Sequence, residues 1–444
     1  MKAGTFDNLP PLSKSDALRI LKTPIKELAL SSDYYKAVFH LAKFDCSECE
    51  IALIDLVKSD SKETSVLLAK RKAIEVLGRM KSKKAVPHIG KNLKSSDPYI
   101  VENCAWALQE IGCTNLELHN TIGSLLDNPN HNRRVLIQSL AKMSALTELP
   151  KIERLYSREN LSPAVKGAAI AAIKILKGKV IDHHLLREHL DVDNQNDRQS
   201  AVQDIIDSGS CKLLPDVINT PISPFFRLRA LDLLWTDIPN QSLEFNILEA
   251  IDFVILDNPI RIRLNTNKET LLEPKYLLND LFNTDFKKCY SSLNLLLKMP
   301  TNQILLPLKK IWHVLKKDYG AIYFCLILFR YIDLSSENLQ ELGMELVELC
   351  LDKSWPPYMK FKPQAIFLSY KLNLGFFKRH MNDWLDEVHT PNWVCRYAAL
   401  ICIEESIEHN KLDLDIEAYL RENIDSNKFV RLKLKNILTK FVDI

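Results

Sequence analysis

Ala73-Ile-Glu-Val-Leu-Gly78 and Ala107-Leu-Gln-Glu-Ile-Gly112 are one short phrase written twice, 34 residues apart. Ser139-Leu-Ala-Lys-Met-Ser144, Ala172-Ile-Lys-Ile-Leu-Lys177 and Asp204-Ile-Ile-Asp-Ser-Gly209 continue it at steps of 32, 33 and 32 residues. Ala230-Leu-Asp-Leu-Leu-Trp235 downstream and Ala37-Val-Phe-His-Leu-Ala42 upstream are looser copies. A helical phrase with a period in the low thirties is the mark of stacked helix pairs, each burying its apolar face only against its neighbours. The expected class is all-α: a right-handed α-solenoid of HEAT-like helix pairs with a concave ligand groove. Residues 1–240 carry the regular repeats, and 241–444 continue the same solenoid in degenerate form.

Helix-start signals agree. Asp97-Pro98, Asn128-Pro129, Ser162-Pro163 and Ser223-Pro224 each set a capping side chain beside a proline, near the start of the second helix of a pair. Past residue 240, Thr390-Pro391-Asn392 leads into Trp393-Val-Cys-Arg-Tyr-Ala-Ala-Leu-Ile-Cys402, another copy, and Asp425-Ser-Asn-Lys-Phe-Val-Arg-Leu-Lys-Leu434 reads as the last. Between them the periodicity predicts helices over Gln303 to Lys317, Ala321 to Ile332 and Ser336 to Leu351, with Pro356-Pro357 breaking the chain.

Composition narrows the function. Only 11 glycines in 444 residues leave few of the tight turns that sheets and phosphate loops need. A net charge of +3 is far from the basic surplus of a dedicated nucleic-acid binder. The longest apolar run, Ala321 to Phe329, is much shorter than the roughly 20 residues that span a bilayer. The opening Met1-Lys2-Ala3-Gly4-Thr5-Phe6-Asp7 lacks a signal-peptide pattern, so a cytoplasmic location and ten reduced cysteines, most of them in the core, are expected.

The helix after Asp97-Pro98 shows two faces. Ile100, Cys104, Ala107, Leu108 and Ile111 form the core stripe. Tyr99, Glu102, Asn103 and Trp106 lie about 120° around it, at roughly 100° per residue, and mix aromatic with polar groups. Carried forward, that register gives His131, Arg134 and Gln138, then Ala164, Gly167 and Ala171, then Asn196, Gln199 and Gln203, then Phe225 and Arg229. Aromatics, an acid, arginines and a stretch of small residues suit the wall of a ligand pocket. The plainer alternative is that Tyr99 and Trp106 pack on the next helix.

A second cluster is Trp312-His-Val-Leu-Lys-Lys-Asp318-Tyr319-Gly320, where a spacing of seven puts Trp312 and Tyr319 on one helix face. Asp318 then falls near that helix's C-terminal end, where the dipole disfavours a carboxylate and a functional reason is invited. The alternative is that Asp318 caps the following helix. Metal chemistry is not expected: Cys46-Ser-Glu-Cys49 has no second ligand pair, and His183, His184 and His189 match no ligand spacing. No phosphate loop, serine elbow or carboxylate pair is present.

Asp97-Pro-Tyr-Ile-Val-Glu-Asn-Cys-Ala-Trp-Ala-Leu-Gln-Glu-Ile-Gly112, followed by Asn130-His-Asn-Arg-Arg-Val-Leu-Ile-Gln-Ser-Leu140, resembles the E/F-type phycobilin lyases of cyanobacteria, and among them the long single-chain phycoerythrin lyases and lyase-isomerases. The match is clearest over about residues 60 to 240. The resemblance implies an enzyme that binds an open-chain tetrapyrrole such as phycoerythrobilin as substrate, with no resident cofactor. It implies attachment through a thioether to a cysteine of a phycoerythrin subunit, the α subunit being the expected acceptor. Some members also convert phycoerythrobilin to phycourobilin.

The groove residues suit such a ligand. Arg134 and Arg229 fit its propionates; Tyr99, Trp106 and Trp312 fit its flat rings; Glu102, or Asp318, fits its pyrrole N–H groups. Asn103, His131 and Gln138 complete the expected binding set, and Asp318 with Tyr319 are the expected proton donor or relay. The competing class is a non-catalytic HEAT scaffold for phycobilisome assembly or disassembly, which the same fold would serve equally well.

Overall fold

A computed structural model describes residues 11–179, 182–235, 246–264, 273–409, 420–422 and 425–442. The opening segment read for a signal peptide lies outside them. Every regular element among the described residues is helical. The chain forms two compact units, Met1–Leu186 and Arg187–Ile444.

The first unit holds α1 (Lys14–Lys22), α2 (Asp33–Leu41), α3 (Ser47–Lys58), α4 (Thr64–Arg79), α5 (Val86–Asn92), α6 (Pro98–Ile111), α7 (Leu116–Leu125), α8 (Arg133–Lys142), α9 (Leu149–Tyr156) and α10 (Pro163–Lys177). Helices α2, α4, α6, α8 and α10 form one rank, each packed on the next; α3, α5, α7 and α9 pair with them along one side. The repeated phrase is the buried stripe of that rank: Ala73, Ile74 and Leu77, then Ala107, Leu108 and Ile111, then Leu140, then Ala172 and Ile173 join one continuous core. This is the α-solenoid of helix pairs that the period implies.

Local chemistry sets the ends. Asp97 caps α6, its carboxylate accepting from the amides of Tyr99 (2.9 Å) and Ile100 (3.4 Å), with Pro98 as the first helical residue. Gly112 ends the helix with φ +73, and the Cys113 amide turns back to the Leu108 carbonyl. The same left-handed step recurs at Lys81, Ser144, Gly178 and Gly209. It follows that Gly78, the apparent equivalent of Gly112, has another job. It sits inside α4, where an added Cβ would lie 2.9 Å from the Ala107 Cα and 3.2 Å from the Trp106 ring, so it permits the close approach of α4 and α6.

The proline signals divide. Ser162 and Ser223 occupy N-cap positions without a side-chain hydrogen bond. Asn128 accepts from the Asn130 amide in a turn, and α8 starts four residues later than the proline, capped by Asn132.

A short helix, α11 (His183–Glu188), leads into the second unit. Its helices are α12 (Gln195–Asp207), α13 (Leu214–Ile218), α14 (Pro224–Leu234), α15 (Ile247–Leu256), α16 (Pro274–Asp280), α17 (Phe286–Leu296), α18 (Thr301–Leu315), α19 (Tyr319–Tyr331), α20 (Glu337–Leu351), α21 (Lys362–Leu372), α22 (Leu374–Leu385), α23 (Trp393–Glu408) and a last described helix, Lys428–Val442. The division at residue 186 falls ahead of the change in repeat quality near 240, because distant segments fasten α12 to α17. Arg198 donates to Asp285 at 2.5 Å, and Gln195 both donates to the Thr284 carbonyl and accepts from the Phe286 amide. Buried charge pairs seat the last helix: Lys433 binds Asp252 and Glu404, and Arg396 binds Asp425.

Candidate functional site

In the first unit the expected row exists as a face of the helix rank. Tyr99 is exposed, and the Arg71 guanidinium lies 4.7 Å over its ring while pairing with Asp97 at 2.6 Å. One carboxylate therefore caps α6 and fixes the arginine that backs Tyr99. Trp106 is half-buried and packs its ring edge against the core over Gly78. Glu102, Asn103 and Gln138 are half-buried, and each lacks a hydrogen-bond partner or counter-ion among the described residues. The His131 Nδ1 is buried and likewise unpartnered. Arg134 reaches across from α8 to the Ala164 carbonyl at 2.7 Å. Tyr99, Glu102, Asn103, Trp106, Arg134 and Gln138 thus belong to adjacent rungs α6 and α8, with His131 in the turn that leads into α8.

The small residues of the next rung do not open a volume. Gly167 and Ala171 are buried, where their size lets α10 close onto α8. The open space is at the other end of the row: a cavity of about 830 Å³ between α2 and α4, lined by Tyr35, Lys36, Phe39, Glu63, Ser65 and Leu68 among others. The sequence reading missed it although the signal was available. Stepping 34 residues back from Tyr99, Glu102 and Trp106 lands on Ser65, Leu68 and Lys72. Ser65 and Leu68 line the cavity, and the Lys72 ammonium lies 5.9 Å over the Phe39 ring.

In the second unit Arg229 is exposed and donates to Gln203 at 2.5 Å, which donates in turn to Asp207 at 2.7 Å. In the Trp312–Asp318 cluster the expected shared face fails, and the alternative, Asp318 as the cap of the following helix, holds. Trp312 belongs to α18 and Tyr319 opens α19, so the two do not share a helix face. The chain breaks at residues 316–318, and Asp318 stands at the start of a helix, accepting from the Ala321 amide at 2.8 Å, where the dipole favours a carboxylate. Trp312 is a packing residue. It is 8% exposed, its ring meets Phe329 edge-on at 6.1 Å, and its indole N–H donates to Glu345 at 2.8 Å.

Tyr319 is exposed and stands edge-on to Trp355 at 5.2 Å. Nearby, Lys360 sends an exposed stem to an ammonium 5.0 Å over Phe286 and 5.5 Å over Tyr323. Loss of water around that ammonium lowers its pKa below the ordinary lysine value, against the opposing pull of Cys289 and Asp318.

No family model matches the chain. It is 30% identical to the bilin biosynthesis protein CpeY of Synechococcus sp. (strain WH8020) over 380 residues, covering 85% of this chain and 90% of that protein. The chain belongs to the E/F-type phycobilin lyase family. It is 27% identical over 422 residues to the uncharacterized phycocyanin operon protein Y of Pseudanabaena tenuis (strain PCC 7409), covering 94% of the chain and 98% of that protein. A solved structure, the complex of CpcE and CpcF of phycocyanin lyase from Nostoc sp. PCC7120, aligns over 57% of the chain and 98% of its own, with 22% identity and a TM-score of 0.47.

As a phycobilin lyase family member the chain carries the segment that suggested the family on an ordered helix, α6, with its aromatic and acidic residues on one face. Among the described residues no cluster of three or more His, Cys, Asp or Glu side chains could hold a metal. No helix among them is long and apolar enough to cross a membrane.

Proposed function

We propose that this chain is a bilin lyase that attaches phycoerythrobilin through a thioether to a cysteine of a phycoerythrin subunit, the α subunit first, and that isomerisation to phycourobilin accompanies transfer. The observation that carries the reading lies in the first unit. A cavity of about 830 Å³ heads a row of aromatic side chains among which Glu102, Asn103 and Gln138 lack a hydrogen-bond partner among the described residues. A pocket of a few hundred Å³ or more, mostly apolar with a few convergent polar groups, is what a drug-sized or larger conjugated ligand needs.

In this reading Tyr35, Phe39, Tyr99 and Trp106 offer ring faces to the planar pyrroles. Glu102, already half-desolvated, accepts pyrrole N–H bonds that strengthen there because no donor among the described residues competes for its oxygens. Lys72 and Arg134 give the same face positive charge toward the propionates. The nucleophile is the acceptor subunit's cysteine: its sulfur bonds to the ethylidene carbon of ring A, and its proton ends on the ring. Eight of this chain's ten cysteines are buried. In the second unit Asp318 and Tyr319 are the candidates for the proton transfers of isomerisation.

The test is co-expression with phycoerythrobilin-producing enzymes and each phycoerythrin subunit, reading covalent adduct by absorbance of the denatured subunit. Leu68→Arg, which fills the cavity from an exposed position, and Glu102→Gln should each lower adduct yield at least tenfold with the protein still folded. A blue-shifted phycourobilin adduct would establish isomerisation. If neither substitution alters yield, the row is not the binding site; if no subunit gains bilin, the scaffold function replaces the lyase.

A further inference from the structure

Cys46 and Cys49 are left over from the bilin reading and from metal binding. They stand one turn apart at the start of α3, a 12-residue helix for which Cys46 is the N-cap residue. Their sulfurs are 2.9 Å apart, with the Cys46 thiol donating to the Cys49 sulfur. Cys46 is partly exposed, whereas Cys49 is buried in the core beside Leu53. The sulfurs need to close from 2.9 Å only to the roughly 2.05 Å of a disulfide bond.

We propose that Cys46 and Cys49 are a redox-active dithiol, closed to an intramolecular disulfide by thiol–disulfide exchange with a disulfide oxidant. The asymmetry of the pair suits the two roles. The Cys49 thiol beside it, with a smaller contribution from Lys14, holds the Cys46 thiol below the ordinary cysteine value, which makes Cys46 the attacking group. Burial, with the neighbouring Cys46, pushes the Cys49 thiol up to about 12, so it waits as the resolving group. Cys104, Cys325 and Cys402, by contrast, are buried with thiols held far above the ordinary value by loss of water.

The steps balance. The Cys46 thiolate attacks one sulfur of the oxidant, forming a mixed disulfide and releasing one thiolate, which takes up the Cys46 proton. Cys49 then loses its proton and attacks the Cys46 sulfur, closing the protein disulfide and expelling the second sulfur, which leaves as a thiol with that proton. Two electrons pass from the pair to the oxidant, and excess thiol reverses both steps.

The experiment equilibrates the purified full chain with mixtures of reduced and oxidised glutathione, quenches in acid, alkylates with N-ethylmaleimide and maps peptides by mass spectrometry. The expected result is loss of both labels from Cys46 and Cys49 together, in one two-electron step reversed by dithiothreitol. In Cys49→Ser a glutathione adduct should accumulate on Cys46 at least tenfold above the level in the unsubstituted chain. Cys46→Ser should leave Cys49 labelled only after denaturation. Recovery of both labels at every glutathione ratio would overturn the proposal, as would a stable glutathione adduct on Cys46 of the unsubstituted chain. The readout does not involve bilin, so it stands or falls apart from the lyase assignment.

Discussion

Asp257 ends α15 in a left-handed turn, φ +48, and from there its carboxylate meets the fully buried guanidinium of Arg227 at 2.5 Å. The hydroxyl of Tyr290 donates to the same carboxylate at 2.6 Å, and that of Tyr323 joins it. Three other segments of the chain thus converge on one acid. Burial would favour neutral Arg227, but the Asp257 charge outweighs it and holds the guanidinium protonated; burial and the same charge push both tyrosines well above their ordinary value.

Removing the acid should therefore cost more than any other single polar change in the second unit. Asp257→Asn leaves Arg227 buried without a counter-charge, which costs about 3–5 kcal/mol. Tyr323→Phe removes one donor and should cost about 1 kcal/mol. Urea unfolding of each variant measures both. Equal effects would mean that the charge pair does not organise this unit.

Acid should loosen the second unit at a definable point. Glu345 is raised by burial, but hydrogen bonds from Lys316 and Trp312 more than offset this and hold its carboxyl below the ordinary 4.5. A carboxylate lowered on folding stabilises above its unfolded value and loses that contribution as pH falls through the lower folded value. The unfolding midpoint should fall below pH 4.5 more steeply in the unsubstituted chain than in Glu345→Gln. Trp312 emission should shift over the same range, since its N–H loses an ionised acceptor. Parallel pH curves for the two proteins would contradict this.

The repeat was legible because the helices of the α2–α10 rank reuse one buried stripe, and a stripe is local. What set the boundary between units was not local: Arg198 meets Asp285, and Gln195 meets Phe286, across most of a hundred residues with no shared motif. The candidate row was legible on α6, where Asp97-Pro98 fixes the register. Its open end at Ser65 and Leu68 was reachable by the same period run backward, but no cap signal marks α4, whose N-cap residue Glu63 makes no side-chain bond. At Asp318 contact decided between two open readings: the period predicted one helix ending at Lys317 and another from Ala321, and the Ala321 amide held by the Asp318 carboxylate makes that residue the cap of the second. The shared face of Trp312 and Tyr319 failed because a spacing of seven counts only within one helix.

The left-handed step after the repeated phrase falls on glycine at residues 112, 178 and 209 but on Lys81 and Ser144 elsewhere. A side chain in that conformation costs about 1–2 kcal/mol, partly offset by the freedom glycine has when unfolded. Lys81→Gly and Ser144→Gly should each stabilise the first unit by about 0.5 kcal/mol, and together by about 1 kcal/mol because the sites are distant. Thermal unfolding of the single and double variants checks the sign and the additivity.

Asp318 offers a cleaner separation of structure from chemistry than any residue of the row. As an N-cap it can be replaced by asparagine with little loss, because the amide oxygen still accepts from Ala321, whereas alanine should cost about 1 kcal/mol. As a proton donor or acceptor it cannot be replaced by asparagine at all. Asp318→Ala and Asp318→Asn should therefore order differently in two assays. Denaturation should place asparagine beside the unsubstituted protein and alanine below it. If Asp318 moves protons, the ratio of phycourobilin to phycoerythrobilin adduct should collapse in both variants, with Tyr319→Phe reducing it further downstream. If the ratio instead follows stability, intact in asparagine and reduced only in alanine, the carboxylate serves the helix alone and the proton transfers belong to another residue.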